Sequence, residues 1–423
     1  LLRGVIGPIP VYLFDVAVVL VWTVVATRPG PGAWPHRAPP WVGLFLAVLA
    51  VFGTLLPTLT YGFHPEMVWN LGHTGLAMTT LVLGAFLLRG ATAAERDGLR
   101  RGLAAGLLVL AAIALLQKSS PEWNATFIGL FYGDGDGESA ESYTVLVATT
   151  LSTQGRVSGP FGSPNTFGIV ALIAAVNHWL LLAVDRRRSS LGPLVLAALL
   201  VIAFASGSRQ VVIAGAMIAI GWAVSTSPLR TLPRLAFGAA LVALVMLTID
   251  ADAFLDRLLR LSEGADEANV AARLSEGPQR FWEMLAWDPG LIFTGVGLEI
   301  QKLARYNVDL PAEILEGFVS NGFLLYLYYF GVFGFLVMTA FWIWVLVCGF
   351  GAAKALRPIT AGAAVALVFV VFSDNHAVLA EELVNQIMIL VGLTVASALG
   401  PMPDGAARPT VRGGYADARR AAH

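Results

Sequence analysis

Arginine and glycine set among prolines and serines recur where this chain leaves its apolar runs, and those residues could do chemistry on an anion. The first group is Arg156-Val-Ser-Gly-Pro-Phe-Gly-Ser-Pro164-Asn165-Thr-Phe-Gly168, which closes one polar loop and enters an apolar run. The amino end of a helix there would present free amides and a positive dipole end, and Arg156 would add a planar double donor suited to phosphate. The same residues also read as a plain helix cap with an arginine at headgroup level. The second group, Ser206-Gly-Ser208-Arg209-Gln210, is a turn too short to move far between two apolar runs. A charge held there is either placed for function or snorkels to lipid phosphate.

The third group lies in the long polar stretch 250–320, which carries Arg257, Arg260, Arg273, Arg280, Lys302 and Arg305 against thirteen acidic residues, a net charge of −7. Such a balance excludes a general anion sponge. Most of these charges read as a solvated face, and one or two arginines turned toward the membrane would suffice for a diphosphate. Phe254 to Leu261 has the spacing of an interfacial amphipathic helix, and Arg280-Phe-Trp-Glu-Met-Leu-Ala286 that of a second helix, stopped by Asp288-Pro-Gly290 and followed by Gly295-Val-Gly297. The stretch then runs into Ser320-Asn321, nine further residues, Gly331-Val-Phe-Gly334.

Other candidates are sparse. His64, His73, His376 and His423 have no histidine partner at helical spacing, so the sequence offers no metal site. His376, within Asp374-Asn375-His376, reads as a hydrated turn or as a general base. Glu381, Glu382, Asn385 and Gln386 lie in the last apolar run, as hydrogen-bond partners within a bundle or as a proton path. The single cysteine, Cys348, sits in an apolar run and reads as a small core hydrophobe.

What positions these groups is a set of membrane spans. Of 423 residues, 57% are hydrophobic and only 13% charged, about half the charge of a soluble domain, near 25%. Runs long enough to cross occupy 10–27, 41–60, 68–88, 103–117, 167–184, 191–205, 210–225, 235–249, 321–350, 360–373 and 377–399. The fold expected is therefore an all-α, polytopic integral membrane helix bundle of about eleven spans.

Seventeen of the 27 basic residues fall in short loops and ends on one side, including Arg96, Arg100 and the Arg186-Arg187-Arg188 triplet, so that side is cytoplasmic. The segments follow: spans 1–4 over 1–117, a first external loop 118–166, spans 5–8 over 167–249, a large external loop 250–320, spans 9–11 over 321–400, and a disordered cytoplasmic tail 401–423. This count puts the amino terminus outside. With Leu1 in place of an initiating methionine, it points to a further span upstream and about twelve in all.

In order along the chain, four of these elements resemble the O-antigen ligase and O-antigen polymerase superfamily of bacterial envelope glycosyltransferases. They are Arg156 with Gly-Pro-Phe and Pro164-Asn165, the Ser208-Arg209 turn, Arg280 with Trp282, Pro289 and Gly295-Val-Gly297, and Asn321-x9-Gly331-x-x-Gly334. The resemblance implies a multi-pass enzyme of the bacterial cytoplasmic membrane with its active side extracytoplasmic. It would move a glycan from an undecaprenyl-diphosphate carrier to a glycan or lipid acceptor, with no cofactor, metal or nucleic acid. Its partners would be membrane lipid and the proteins of polysaccharide export or chain-length control. It also implies that Arg156, Arg209 and Arg280 hold the diphosphate, assisted by Arg257, Arg260 or Arg273.

Ligases of this kind carry a histidine just before the Asn-x9-Gly-x-x-Gly stretch, where this chain has Ser320. A serine hydroxyl does not take up a proton near neutral pH as imidazole does. The base would then be His376, Glu316 or Glu313, or the chain belongs with the polymerase-like members. A transporter or flippase of an amphiphilic anion is the alternative of another class; it predicts broken helices and polar residues at mid-membrane.

Overall fold

The computed structural model describes residues 3–6, 9–12, 18–20, 22–23, 27, 40–61, 65–120, 122–123, 156–161, 163–185, 190–225, 277–297, 322–373 and 381–398. Helix dominates them, as the apolar runs require, because only a helix satisfies its own backbone groups in hydrocarbon. The exception is a hairpin of β1 (Arg3–Ile6) and β2 (Ile9–Tyr12), paired antiparallel with Ile6 opposite Ile9. It takes the first residues of the expected 10–27 span out of helix. β-branched Val5, Ile6, Ile9 and Val11 flank Gly7-Pro8, a turn-forming pair in sequence.

The helices follow the other runs closely. α1 (Pro40–Ala50), a wide turn of π-helix (Val51–Leu55) and α2 (Leu56–Tyr61) form one continuous rod. Next come α3 (Pro65–Arg89), α4 (Ala93–Ser119), α5 (Pro164–Val184), α6 (Leu191–Ser206) and α7 (Arg209–Ser225). In the second half lie α8 (Gly277–Trp287), α9 (Leu291–Thr294), α10 (Gly322–Gly351), α11 (Arg357–Ser373) and α12 (Glu381–Ala398). The run at 235–249 and most of the loop at 250–320 lie outside the described residues.

Local chemistry sets the ends. α4 opens with a capping box, in which Glu95 N–H donates to Thr92 Oγ1 and Thr92 N–H donates to Glu95 Oε2 at 2.7 Å. α5 opens on Ser163 with Pro164 in its first turn, and α6 closes on Gly207, whose φ of 57° lets its amide turn back to Ala203 and Phe204 carbonyls.

α5 is the hub, buried along nearly its whole length, with α4, α6, α7, α11 and α12 around it. Elsewhere small residues let backbones touch. A methyl at Gly84 of α3 would strike the Ile389 carbonyl of α12, and one at Gly392 the Leu81 carbonyl in return. Gly221 of α7 and Gly362 of α11 make a second such crossing. Between apolar surfaces in lipid, close backbone packing of this kind holds helices together where hydrophobic burial cannot.

Among the described residues, three helical stretches, Ala93–Ser119, Pro164–Val184 and Leu324–Gly351, are long and apolar enough to cross a membrane. Leu336, Ile343 and Val347 lie exposed along α10, where only lipid would welcome them. Helices of this length and composition suggest a membrane protein.

Candidate functional site

The segment ahead of α5 is stitched to the ends of three helices. Val157 N–H donates to the Ala205 carbonyl at the end of α6 at 3.0 Å, and Gly159 N–H to Gln117 Oε1 at the end of α4 at 2.9 Å. Arg156 Nε donates to the Ser206 carbonyl at 2.8 Å, and its Nη2 to Asn165 Oδ1 in the first turn of α5 at 2.9 Å. One short helical turn, Gly159–Phe161, carries the chain back toward α5. Gly159 has φ +55° and lies 2.7 Å, measured from where a β-carbon would be, from the Phe167 ring, so a side chain there would be strained and would push the ring aside.

Opposite Asn165 is the turn between α6 and α7. A β-carbon on Gly168 would strike the Val211 side chain of α7 at 2.4 Å and lie 3.1 Å from Ser206 Oγ and 3.4 Å from Ser208 Cβ, so the glycine lets α5 pack against the side chains of this turn and of the start of α7. Ser208 is fully buried, and its hydroxyl has no partner among the described residues. Arg209 is the first residue of α7. Two of the sequence-predicted groups, Arg156 with Pro164-Asn165 and the Ser206–Arg209 turn, are therefore one structure. Arg156 is the clasp between them.

Arg280 stands on α8, which buries Phe281 and Met284 and packs on α10 and α9. Behind it the chain turns at Asp288, whose Oδ1 accepts from Gly290 N–H at 2.8 Å, and passes through α9 to Gly295. Gly331 and Gly334 lie within α10, and at Gly331 the main chain leaves the helical region, with φ 63° and ψ −172°. Arg257, Arg260, Arg273, Glu313, Glu316, Ser320, Asn321 and His376 are outside the described residues.

At the opposite end of the bundle a polar network was not legible from the apolar pattern. His178, buried in α5, meets the Arg100 carbonyl through Nδ1 at 3.0 Å. Asp185 at the end of α5 pairs with Arg96 at 2.7 Å, and Arg89 donates through Nε and Nη2 to the Ala396 carbonyl. In the polar opening turns of α4, ahead of its apolar stretch, the Arg100 hydrogen bond holds the Asp97 carboxyl below the usual carboxylate range, with Arg101 adding to it. The one sequence signal for His178 and Asn177 is a polar pair inside an otherwise apolar run.

No family model, curated protein or solved structure matches the chain.

Proposed function

We propose that this protein is a polytopic glycosyltransferase of the bacterial cytoplasmic membrane, with about eleven spans. It transfers undecaprenyl-diphosphate-linked glycan units on the extracytoplasmic side during surface polysaccharide synthesis. The observation that carries this reading is the union of the Arg156–Asn165 segment with the Ser206–Arg209 turn through the Arg156 guanidinium. Two arginines separated by over fifty residues thus belong to one rigid corner at the end of the bundle.

In this reaction an acceptor hydroxyl attacks the anomeric carbon of the donor, the bond from that carbon to the diphosphate oxygen breaks, and the carrier diphosphate leaves. Negative charge grows on the leaving group, so arginines fixed beside it stabilise the transition state more than the ground state. Arg209 and Arg280 serve there, with Arg156 holding the corner and contributing its charge. The hydroxyl proton passes to His376, Glu316 or Glu313. Ser320 in place of histidine favours chain polymerisation over ligation to a lipid acceptor.

A second reading draws on the structure itself. The break at Gly331 and the buried Asn177 and His178 are features that a flippase of an amphiphilic anion would use. One experiment separates these readings. Purified protein in lipid is given a synthetic undecaprenyl-diphosphate oligosaccharide, beside Arg280→Ala, Arg209→Ala and Arg156→Ala. A growing ladder that the variants lose supports the polymerase, and transfer of one block to a lipid supports a ligase. Carrier that crosses the bilayer unconsumed replaces both with the transporter.

A further inference from the structure

α10 reads in sequence as thirty unbroken residues, yet it is two helices meeting at Gly331. In an unbroken helix the carbonyls of Tyr328 and Tyr329 would accept from amides four residues on. Here Val296 N–H donates to the Tyr328 carbonyl at 2.9 Å, and Gly297 N–H to the Tyr329 carbonyl at 3.0 Å. The Gly295-Val-Gly297 segment therefore takes up hydrogen bonds that the break sets free. Within a membrane neither part could stand alone, because unpaired carbonyls there are too costly.

The fit is reciprocal. Gly295, with φ +68°, lies against the main chain of Tyr329 and Phe330, where a methyl would collide with both. Gly331 lies equally close against the main chain of Phe293 and Thr294, in a backbone region that only glycine occupies readily. Gly297, with φ +89°, rests on Pro57 of α2, and the rings of Phe293 and Phe333 stand 6.1 Å apart beside the junction. Gly334 has a role of its own, since the base of the Phe330 side chain fills the space its β-carbon would need. By helix rise, Gly331 is about 13 Å along α10 from Gly322, so the loop dips well into the bundle.

We propose that Gly295, Gly297 and Gly331 are positioning residues for the transfer site. By locking the loop into the break of α10 they fix the height of α8, the helix that carries Arg280. The stretch of α10 from Gly322 to the break at Gly331 is the half-helix onto which the loop docks. The inference rests on Arg280 serving the donor diphosphate.

The test uses the full chain in lipid with Cys348→Ser and the pair Phe293→Cys and Phe333→Cys. A short bis-methanethiosulfonate reagent is expected to bridge the pair, seen as a mass shift of intact protein, while donor turnover persists. Adding Gly331→Leu is expected to cut the bridged fraction about fivefold and kcat about tenfold, with KM within about twofold. Forcing the bridge in that variant is expected to recover kcat, a rescue that a general folding defect would not show. Gly295→Ala tests the same junction from the loop side should Gly331→Leu fail to fold. A parent that never bridges overturns the docking, and full turnover in unbridged Gly331→Leu overturns the positioning role. A parent that bridges but consumes no donor sinks the transferase reading, and the positioning role with it, while the docking stands.

Discussion

Arg156 donates its Nε hydrogen to the main-chain carbonyl of Ser206, 2.8 Å away, across fifty residues of sequence. With the second bond to Asn165 it ties the end of α6 to the start of α5. Lysine keeps the charge but cannot reach two acceptors in one plane. Arg156→Lys is therefore expected to lose about 2 kcal/mol of stability, since hydrogen bonds from charged donors contribute about 1.5–3 kcal/mol each. Thermal unfolding in detergent measures this. A Lys variant as stable as the parent would mean that the clasp is dispensable.

The α3–α12 crossing allows a sharper contrast. A methyl at Gly392 would have to displace the Leu81 carbonyl, which is helix backbone and does not yield. Gly392→Ala is expected to destabilise by about 3 kcal/mol, the upper part of the range for overpacking. Gly106 in α4 has open space around the same position, so Gly106→Ala is expected to gain about 0.5–1 kcal/mol from the better helix propensity of alanine. Equal effects at the two sites, by denaturation in matched detergent, would refute the close crossing.

These glycines also show how far the sequence could be read. Helix bounds such as 167–184 against Pro164–Val184 were legible because an apolar run must be helix in lipid, and its ends are marked by Pro, Gly and Ser. Arg156 and Arg209 were legible as candidates because charge at a membrane edge is costly. Their union was not, since spacing along a chain does not say which loops meet. Gly331 was visible as part of a pattern, but a lone glycine among apolar residues reads as a tolerated helix residue. Only its partners, Phe293 and Thr294, make it a break. The opening run begins as strand at Ile9–Tyr12, within its first three residues, because apolar, β-branched residues beside Gly-Pro suit a strand as well.

At the other end of the bundle, Asp97 supplies a pH dependence. Its carboxyl is depressed chiefly by the Arg100 hydrogen bond, so the folded state holds its proton less tightly than the unfolded chain. The stabilisation is then present above the ordinary carboxylate pKa of 3.8 and is lost as pH falls through the lower folded value. Asp97→Asn is expected to be slightly less stable than the parent at neutral pH and to show a flatter acid limb in thermal unfolding. A variant with an unchanged acid limb would remove Asp97 from the titration.

His178 offers a test that needs no knowledge of substrate. Its Nδ1 faces the Arg100 carbonyl at 3.0 Å, and a carbonyl only accepts, so the ring must carry its hydrogen on Nδ1. The free lone pair is then on Nε2, which has no partner among the described residues. Nitrogen NMR of protein labelled at histidine is expected to show an Nδ1–H tautomer that His178→Gln removes from the spectrum. That variant is expected to cost about 1 kcal/mol, the usual net contribution of one hydrogen bond. It should leave donor turnover intact if His178 only joins α4 to α5. A tautomer with hydrogen on Nε2, or a loss of transport or turnover without a loss of stability, would instead mark His178 as a working group within the bundle.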